Sequence, residues 1–216
     1  DHPDAAEAAF NRAANTAGGS FELVINSAGY GVFGGFDEIE ATAWERQLGA
    51  MLNATLRLTH VALRKMRVAG RGCIVNVSSL AVEFPLPFMS GYNVAKAGLS
   101  ALSESLIVET RGTAINVIDF RPGDFRTDFN RAMQTFPSAN SAQSGGSAAV
   151  WGALEAHLEA APPPERAAAD LRRAILRRQS GTVRSGSIFQ ARIASGFARV
   201  VPAFLRRSIA ARYFRL

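Results

Sequence analysis

The run Cys73–Val77 (CIVNV) decides the fold, together with two runs of the same texture at Phe21–Asn26 (FELVIN) and Ile115–Phe120 (INVIDF). All three are short and rich in β-branched residues, and none alternates between apolar and polar positions. Strands that are covered on both faces of a parallel sheet have this texture, because neither face meets water. We therefore predict three buried parallel strands.

Helical patterns precede and separate these strands. Asp4 can cap a helix over Ala5–Ala17, which ends at the two glycines that follow. Apolar residues recur at helical spacing over Thr42–Val68 and over Gly91–Thr110, and a glycine follows each segment closely. This alternation of helix and strand predicts an α/β fold with a doubly wound parallel sheet of the Rossmann type.

Composition and length bound the class of protein. The chain has 216 residues, of which 48% are hydrophobic and 19% are charged, so a disordered or fibrous chain is excluded. The single cysteine, Cys73, excludes a disulfide framework and favours a reducing compartment such as the cytoplasm. No apolar run approaches the roughly 20 residues that span a bilayer, and the first residues do not resemble a signal peptide.

The texture changes after the third strand. Gln134–Ser147 is polar and rich in Gly and Ser, which predicts a mobile loop, and Pro164 is suited to starting the next helix. We predict a Rossmann-type domain over residues 1–133, a substrate loop and helix over residues 134–165, and a basic amphipathic helical segment over residues 166–216.

Charge is distributed unevenly between these parts. Residues 171–216 contain 11 Arg and no acidic residue, whereas residues 1–170 contain 13 basic and 18 acidic side chains. Near the C-terminus, one arc of a helical wheel holds apolar residues and the opposite arc holds arginines. The apolar arc consists of Val200, Val201, Phe204, Leu205 and Ile209, and the basic arc of Arg199, Arg206 and Arg207.

Several interpretations of this basic segment stay open. A helix with Arg and bulky apolar residues over residues 197–216 suits the surface of an anionic membrane. A helix that closes over a substrate pocket or a dimer interface, or that packs on the acidic body, explains the pattern equally well. Nucleic-acid binding ranks third and is not expected, because aromatic stacking platforms are lacking.

The glycine motif Gly29–Gly34 (GYGVFG) is a poor match to a dinucleotide fingerprint. That fingerprint opens a helix at its glycines and has an acidic residue about 20 residues further on, at the end of the next strand. Here no helical pattern begins before Trp44, and the next strand starts near Cys73. We therefore do not assign these glycines to a phosphate loop. The sequence also contains no GxSxG hydrolase motif and no metal-binding HExxH or Cys/His cluster.

Ser79, Tyr92 and Lys96 form the most informative group of residues. Tyr92 and Lys96 are four residues apart at the start of a predicted helix, so their side chains share one face. A nearby ammonium group favours the phenolate, which makes such a pair suitable for acid/base chemistry. Taken alone, a surface Tyr stacked on a Lys side chain explains the spacing as well. Ser79 follows the strand CIVNV, and parallel sheets bind ligands at the carboxyl ends of their strands.

Four motifs in register surround this group. They are NSAG at Asn26–Gly29, VSS at Val77–Ser79, YNVAK at Tyr92–Lys96 and RPGDFRT at Arg121–Thr127. With them, most of residues 1–130 resembles the short-chain dehydrogenase/reductase family. NSAG differs from the family's usual NNAG by one Ser, which keeps a hydrogen-bonding side chain.

The resemblance implies an oxidoreductase that interconverts an alcohol and a carbonyl with NAD or NADP. Tyr92 would be the acid/base, and Ser79 would bind the substrate oxygen. Lys96 would hold the nicotinamide ribose and lower the pKa of Tyr92, while Asn53 would order a proton-relay water. The implied cofactor contacts are Asp1, Asn26, Ala28, Gly29, Tyr92, Lys96, Pro122, Gly123, Phe125 and Thr127.

The resemblance also leads to expectations about partners. We expect a small hydrophobic alcohol or carbonyl substrate, flanked by Glu83–Met89 (EFPLPFM) and by the predicted loop Gln134–Ser147. Family analogy suggests homo-oligomers formed through the two long helices. Sugar epimerases and dehydratases of related fold also use YxxxK, but the motifs NSAG and PGxxxT favour the plain dehydrogenase form.

The sequence departs from the family's pattern before Asp1. Family members begin with a strand, a TGxxxGxG turn and two further strands, and none of these is in the sequence. We therefore expect an incomplete, N-terminally truncated catalytic domain that binds a dinucleotide poorly. Two alternatives follow: a fragment of a complete enzyme, or a non-catalytic remnant that binds a membrane or a partner through its basic tail.

Overall fold

The computed structural model describes residues 3–19, 21–136, 141–187, 201–214 and 216. Its strands are β1 (Leu23–Asn26), β2 (Val32–Phe33), β3 (Gly72–Val77), β4 (Ile115–Pro122), β5 (Gln134–Thr135) and β6 (Gly181–Ser185). Its α-helices are α1 (Pro3–Thr16), α2 (Ala41–Leu48), α3 (Ala54–Ala69), α4 (Ser90–Glu109), α5 (Ser141–Glu159), α6 (Pro164–Leu176) and α7 (Ala203–Tyr213). None of the described helices is long and apolar enough to cross a membrane.

A four-stranded parallel sheet in the order β1-β3-β4-β6 organises the molecule. Asn76 of β3 lies opposite Asn26 on one side and Asp119 on the other, and Pro122 lies opposite Ser185. Because the strands are parallel and in register, their carboxyl ends reach the same edge of the sheet. The parallel Rossmann-type sheet predicted from the three apolar runs is confirmed.

Both faces of the sheet are covered, which explains the unbroken apolar texture of its strands. On one face, Ile74 packs with residues of α1 and α3, including Phe10 and Met66. On the other face, Val75 packs with Ala174 of α6. Neighbouring residues of β3 thus point into two different cores.

The long helix predicted over Thr42–Val68 has an irregular centre. A π-helical turn over Gly49–Asn53 separates α2 from α3, and Met51 within this turn is fully buried. Such a turn shifts the positions that face the interior, and π-turns in helices occur frequently at functional sites. Self-association through this helix and α4 stays a prediction.

Two predictions for the C-terminal half are wrong. The predicted loop Gln134–Ser147 contains β5, and its last residues begin α5. The segment 166–216, predicted to be helical, contributes β6, which pairs in parallel with β4 and extends the sheet. The sheet therefore does not end within residues 1–133. Within the predicted C-terminal helix, Arg199 and Val200 lie outside the described residues.

The glycines of Gly29–Gly34 serve packing rather than the start of a helix. A Cβ at Gly31 would lie 2.7 Å from Cγ of Met133, and a Cβ at Gly34 would lie 2.9 Å from Cβ of Phe136. The segment includes β2, which pairs with β5. Close approach of two chain segments therefore requires glycine here, as expected from the poor match to the dinucleotide fingerprint.

A buried amide network joins β1, β3 and the helices above them. Asn26 donates from Nδ2 to Oδ1 of Asn76 (2.8 Å) and to Oγ1 of Thr59 (3.0 Å). Asn76 in turn donates to Oγ of Ser103 in α4 (3.0 Å). Asn76 is completely buried, so every lost partner would leave a polar group without water.

We expect Asn76→Ala to lower the free energy of unfolding by about 2–4 kcal/mol, because it leaves the buried amide and hydroxyl groups around it unsatisfied. Chemical denaturation measures the change. Asn15→Ala on the exposed side of α1 is the matched control, and it should change stability by less than about 0.5 kcal/mol. Equal changes in the free energy of unfolding for the two variants would contradict a stabilising contribution of the amide network.

Candidate active site

A cavity of about 790 Å³ opens at the carboxyl ends of the strands. It is lined by eight residues that the sequence motifs single out: Gly29, Ser79, Tyr92, Lys96, Pro122, Gly123, Phe125 and Thr127. They come from the ends of β1, β3 and β4 and from the first two turns of α4. The three strand ends and the Tyr–Lys pair therefore converge on one space, as ligand sites in open parallel sheets do.

The two serines after β3 have different environments. The hydroxyl of Ser78, which is almost fully buried at the cavity wall, donates to Oδ1 of Asp119. Ser79 caps the short 3₁₀ turn Leu80–Val82, and its Oγ accepts a hydrogen bond from the backbone N–H of Ala81 (3.0 Å). Because Oγ of Ser79 acts as acceptor in that bond, its own proton is available to an oxygen in the cavity.

Tyr92 lies beside Ser79 in the first turn of α4. Burial raises the pKa of the Tyr92 phenol above its ordinary value, and the negative charge of Asp124 acts in the same direction. A side-chain hydrogen bond with Ser79 lowers the pKa by less than burial raises it. Burial therefore dominates the pKa of Tyr92 in this structure, and the lowering of this pKa by Lys96 stays a prediction.

Lys96 lies one turn further along α4 and is 95% buried. Its Nζ donates to the backbone oxygen of Val77 (2.6 Å) and lies 5.6 Å from the centre of the Tyr92 ring. Burial lowers the pKa of this ammonium to about 8. The carbonyl of Val77 thus fixes the amino group at the end of β3, between the strand and the phenol.

A buried carboxylate supports this arrangement from below. Asp119 of β4 has no exposure to solvent, and it accepts hydrogen bonds from Ser78, from Oγ of Ser100 (2.8 Å) and from Nε of Arg121 (2.7 Å). Nη1 of Arg121 also donates to Glu83 (2.8 Å), directly after the 3₁₀ turn. This network connects β3, β4 and α4 beneath the cavity, and the sequence analysis did not identify it.

The wall of the cavity opposite the motifs is apolar. Phe84, Leu86 and Met89 come from the segment that the sequence analysis placed beside the substrate. The described part of Gln134–Ser147 contributes nothing to the wall, contrary to expectation. The remaining apolar wall comes from the segment after β4 and from α5, α6 and α7: Phe129, Met133, Leu154, Leu158, Ala167, Leu171, Ile209 and Phe214.

Comparison with known proteins agrees with this geometry. The family model described as short chain dehydrogenase matches residues 1–137. The chain belongs to the short-chain dehydrogenase family. The match includes all four motifs around the cavity.

Curated relatives of this short-chain dehydrogenase match only part of its sequence. The cattle protein named dehydrogenase/reductase SDR family member 4 is 33% identical over 121 residues, which cover 56% of this chain and 43% of that protein. The chain therefore spans less than half the length of this curated relative.

Solved structures match more of the chain. A short-chain dehydrogenase from Streptomyces avermitilis superposes with a TM-score of 0.77 at 23% identity, covering 99% of this chain and 74% of the other. A Burkholderia phymatum short-chain dehydrogenase/reductase in complex with NAD gives a TM-score of 0.76 at 19% identity, covering 92% and 71%. At these identities the comparisons show the shared fold.

Three described residues implied by the family resemblance, Asn53, Asn26 and Ala28, are not among those lining the cavity. Asn53, at the end of the π-helical turn, is exposed, and the buried position of that turn belongs to Met51. The side chain of Asn26 is used in the buried amide network, and Ala28 is exposed. Asp1 lies outside the described residues.

We expect Lys96→Met to change how stability depends on pH. The native pKa of Lys96, about 8, lies below the ordinary 10.5, so between these values the unfolded chain binds a proton that the native chain does not. The lysine's contribution to stability therefore rises with pH in this window. The free energy of unfolding of the wild type, relative to K96M, should rise by about 3 kcal/mol between pH 7 and 10.5. Denaturant titrations at several pH values measure it, and parallel curves would contradict it.

Proposed function

We propose that the cavity is the substrate and nicotinamide end of an NAD(P)-dependent oxidoreductase site that interconverts an alcohol and a carbonyl. The shared position of Ser79, Tyr92 and Lys96 on one cavity, with Nζ of Lys96 5.6 Å from the centre of the Tyr92 ring, carries the proposal. The NAD complex of the Burkholderia relative supports the class of cofactor.

The residues present fit the nicotinamide end of such a cofactor. Gly29 lines the cavity, where a Cβ would lie 3.3 Å from Cε of Met51 and 3.6 Å from Nζ of Lys96. Pro122 and Gly123 line the cavity without long side chains, and the N–H of Gly123 is fixed by the oxygen of Ser185 (2.8 Å). A dinucleotide bound there would supply or accept the hydride.

Tyr92 and Ser79 supply the proton chemistry. In the direction of reduction, the raised pKa of Tyr92 keeps the phenol protonated at neutral pH, so it can donate to the carbonyl oxygen. Ser79 donates to the same oxygen, because its Oγ is already fixed as an acceptor by Ala81. Lys96, in its ammonium form below about pH 8, stabilises the phenolate that remains.

The cavity wall favours a hydrophobic substrate. Aromatic and aliphatic side chains from five segments surround the space in front of Tyr92, and a volume of about 790 Å³ lies in the ordinary range of ligand sites. Apolar walls with a few polar groups at one end orient a ligand so that its one polar function reaches those groups.

We expect Tyr92→Phe to lower the rate of NADH- or NADPH-dependent reduction of hydrophobic ketones by about 100-fold or more, because the proton donor is removed. Absorbance of the reduced cofactor measures the rate. Tyr30→Phe is the matched control, since Tyr30 is not among the residues that line the cavity, and it should keep the wild-type rate. Turnover by Y92F at the wild-type rate would overturn the proposal, and so would a wild type that neither binds nor oxidises the cofactor.

A specific observation also favours the second candidate, a non-catalytic protein that binds an anionic membrane. Phe204 and Leu205 on α7 are 64% and 43% exposed, and Arg207 and Arg212 on the same helix are also exposed. On the apolar arc predicted for this helix, Phe204 and Leu205 are therefore exposed, whereas Ile209 lines the cavity. Exposed apolar and basic residues together are typical of interfacial helices.

For this candidate we expect the wild type to co-sediment with vesicles containing phosphatidylserine at low salt. The double variant Phe204→Ser/Leu205→Ser should bind several-fold less, because the inserted apolar area is lost. Val108→Ser removes an apolar residue of α4 that is even more exposed, at 73%, and is the control. Absence of wild-type co-sedimentation would exclude membrane binding. Co-sedimentation by a wild type that does not turn over the cofactor would favour membrane binding over the oxidoreductase.

A further inference from the structure

Arg206 is a basic side chain that faces the cavity from α7. Arg206, Ala210 and Phe214 follow one another at intervals of four residues, and all three line the cavity. They therefore form one face of the helix that covers the apolar wall. The sequence analysis placed Arg206 on the basic, outward arc, and the structure places it on the covering face instead.

The guanidinium of Arg206 contains an unsatisfied donor. Its Nε is buried and has no hydrogen-bond partner among the described residues. The other deeply placed arginines have carboxylate partners, since Arg121 contacts Asp119 and Glu83, and Arg184 contacts Glu83 at 2.6 Å. A buried charged N–H without an acceptor is costly, so a ligand that supplies the acceptor would be bound favourably.

The other charges of the cavity belong to residues that surround Tyr92. Among the described lining residues, the charged side chains besides Arg206 are Lys96 and Asp124, and both act on Tyr92 or lie against it. The wall contributed by α5 is apolar, and the segment after β4 contributes Phe125, Phe129 and Met133 together with the polar Asp124, Thr127 and Asn130. A complementary ligand therefore has an apolar body and an anionic group at one end.

We propose that Arg206 binds the carboxylate or phosphate of an apolar ligand that occupies this cavity. The assignment of that ligand as the substrate, with its carbonyl or alcohol at Tyr92 and Ser79, rests on the proposed function, whereas the binding of the anion does not. The guanidinium donates from Nε and a terminal nitrogen to two oxygens of the anion. The 11 arginines and absence of acidic residues in residues 171–216 attract the same class of ligand.

Binding of three ligands with the same alkyl chain tests the proposal without cofactor. Decanoate, decyl phosphate and decanol compete with the neutral apolar dye Nile red for the full chain. We expect the wild type to bind at least one of the two anions about tenfold more tightly than decanol. A preference for decanoate or for decyl phosphate identifies which anion the site takes.

Variants at two neighbouring arginines test whether Arg206 causes the preference for the anions over decanol. Arg206→Met should lose the tenfold preference and keep the affinity for decanol, whereas Arg207→Met, on the exposed side of the helix, should behave as the wild type. R206M should also melt at or above the temperature of the wild type, because it removes an unsatisfied buried donor. Decanoate or decyl phosphate should raise the melting temperature of the wild type and of R207M, but not of R206M.

The results that overturn the proposal are distinct from those that overturn the proposed function. Equal affinities of the wild type for the anions and decanol, or an unchanged preference in R206M, would exclude an anion site at Arg206. If R206M does not fold, Arg206→Lys keeps the charge and should retain part of the preference, and its complete loss would count against the proposal. If the wild type prefers the anions but Y92F reduces ketones at the wild-type rate, the anion site is supported. The proposed function as an oxidoreductase with Tyr92 as acid/base is then excluded.

Discussion

The carboxylate of Asp119 holds the strand ends of the site in place. It lies in β4 with no exposure to water, and three donors from three different segments reach it: Ser78 after β3, Ser100 in α4 and Arg121 at the end of β4. Charge-assisted hydrogen bonds of this kind are strong and directional. The orientation of Ser79, one residue after Ser78, and of the first turns of α4 therefore depends on a group that never touches the cavity.

The sequence predicts the sheet where the texture of a strand is set by burial on both faces. The strands CIVNV and INVIDF can be recognised in the sequence because neighbouring residues in each are buried on opposite faces of the sheet. Ile74 and Val75 are such a pair in the first strand, and Val117 and Ile118 in the second. The strand β6 escapes prediction because Gly181–Ser185 (GTVRS) contains a single large apolar residue. Pairing with β4 defines this strand, and such pairing depends on tertiary context more than on local propensity.

At the candidate site, the sequence motifs predict which residues lie together better than they predict the pKa values of those residues. Eight of the residues chosen from motifs share one cavity, because parallel strands in register must end together. The position of Asn53 could not be predicted, since a π-helical turn changes which residues of the long helix point inward and brings Met51 there. The pKa of Tyr92 could not be predicted either, because it is dominated by burial of the phenol, which depends on the tertiary packing around it.

The contact between Gly31 and Met133 couples a backbone position to the shape of the cavity. Met133 lines the cavity, and its side chain lies where a Cβ at residue 31 would be, with Cγ at 2.7 Å and Cε at 2.8 Å. Any residue with a Cβ at position 31 would displace this flexible thioether from its present place in the cavity wall. A single hydrogen-to-methyl exchange at a residue that does not itself line the cavity would thus alter the space available to a ligand.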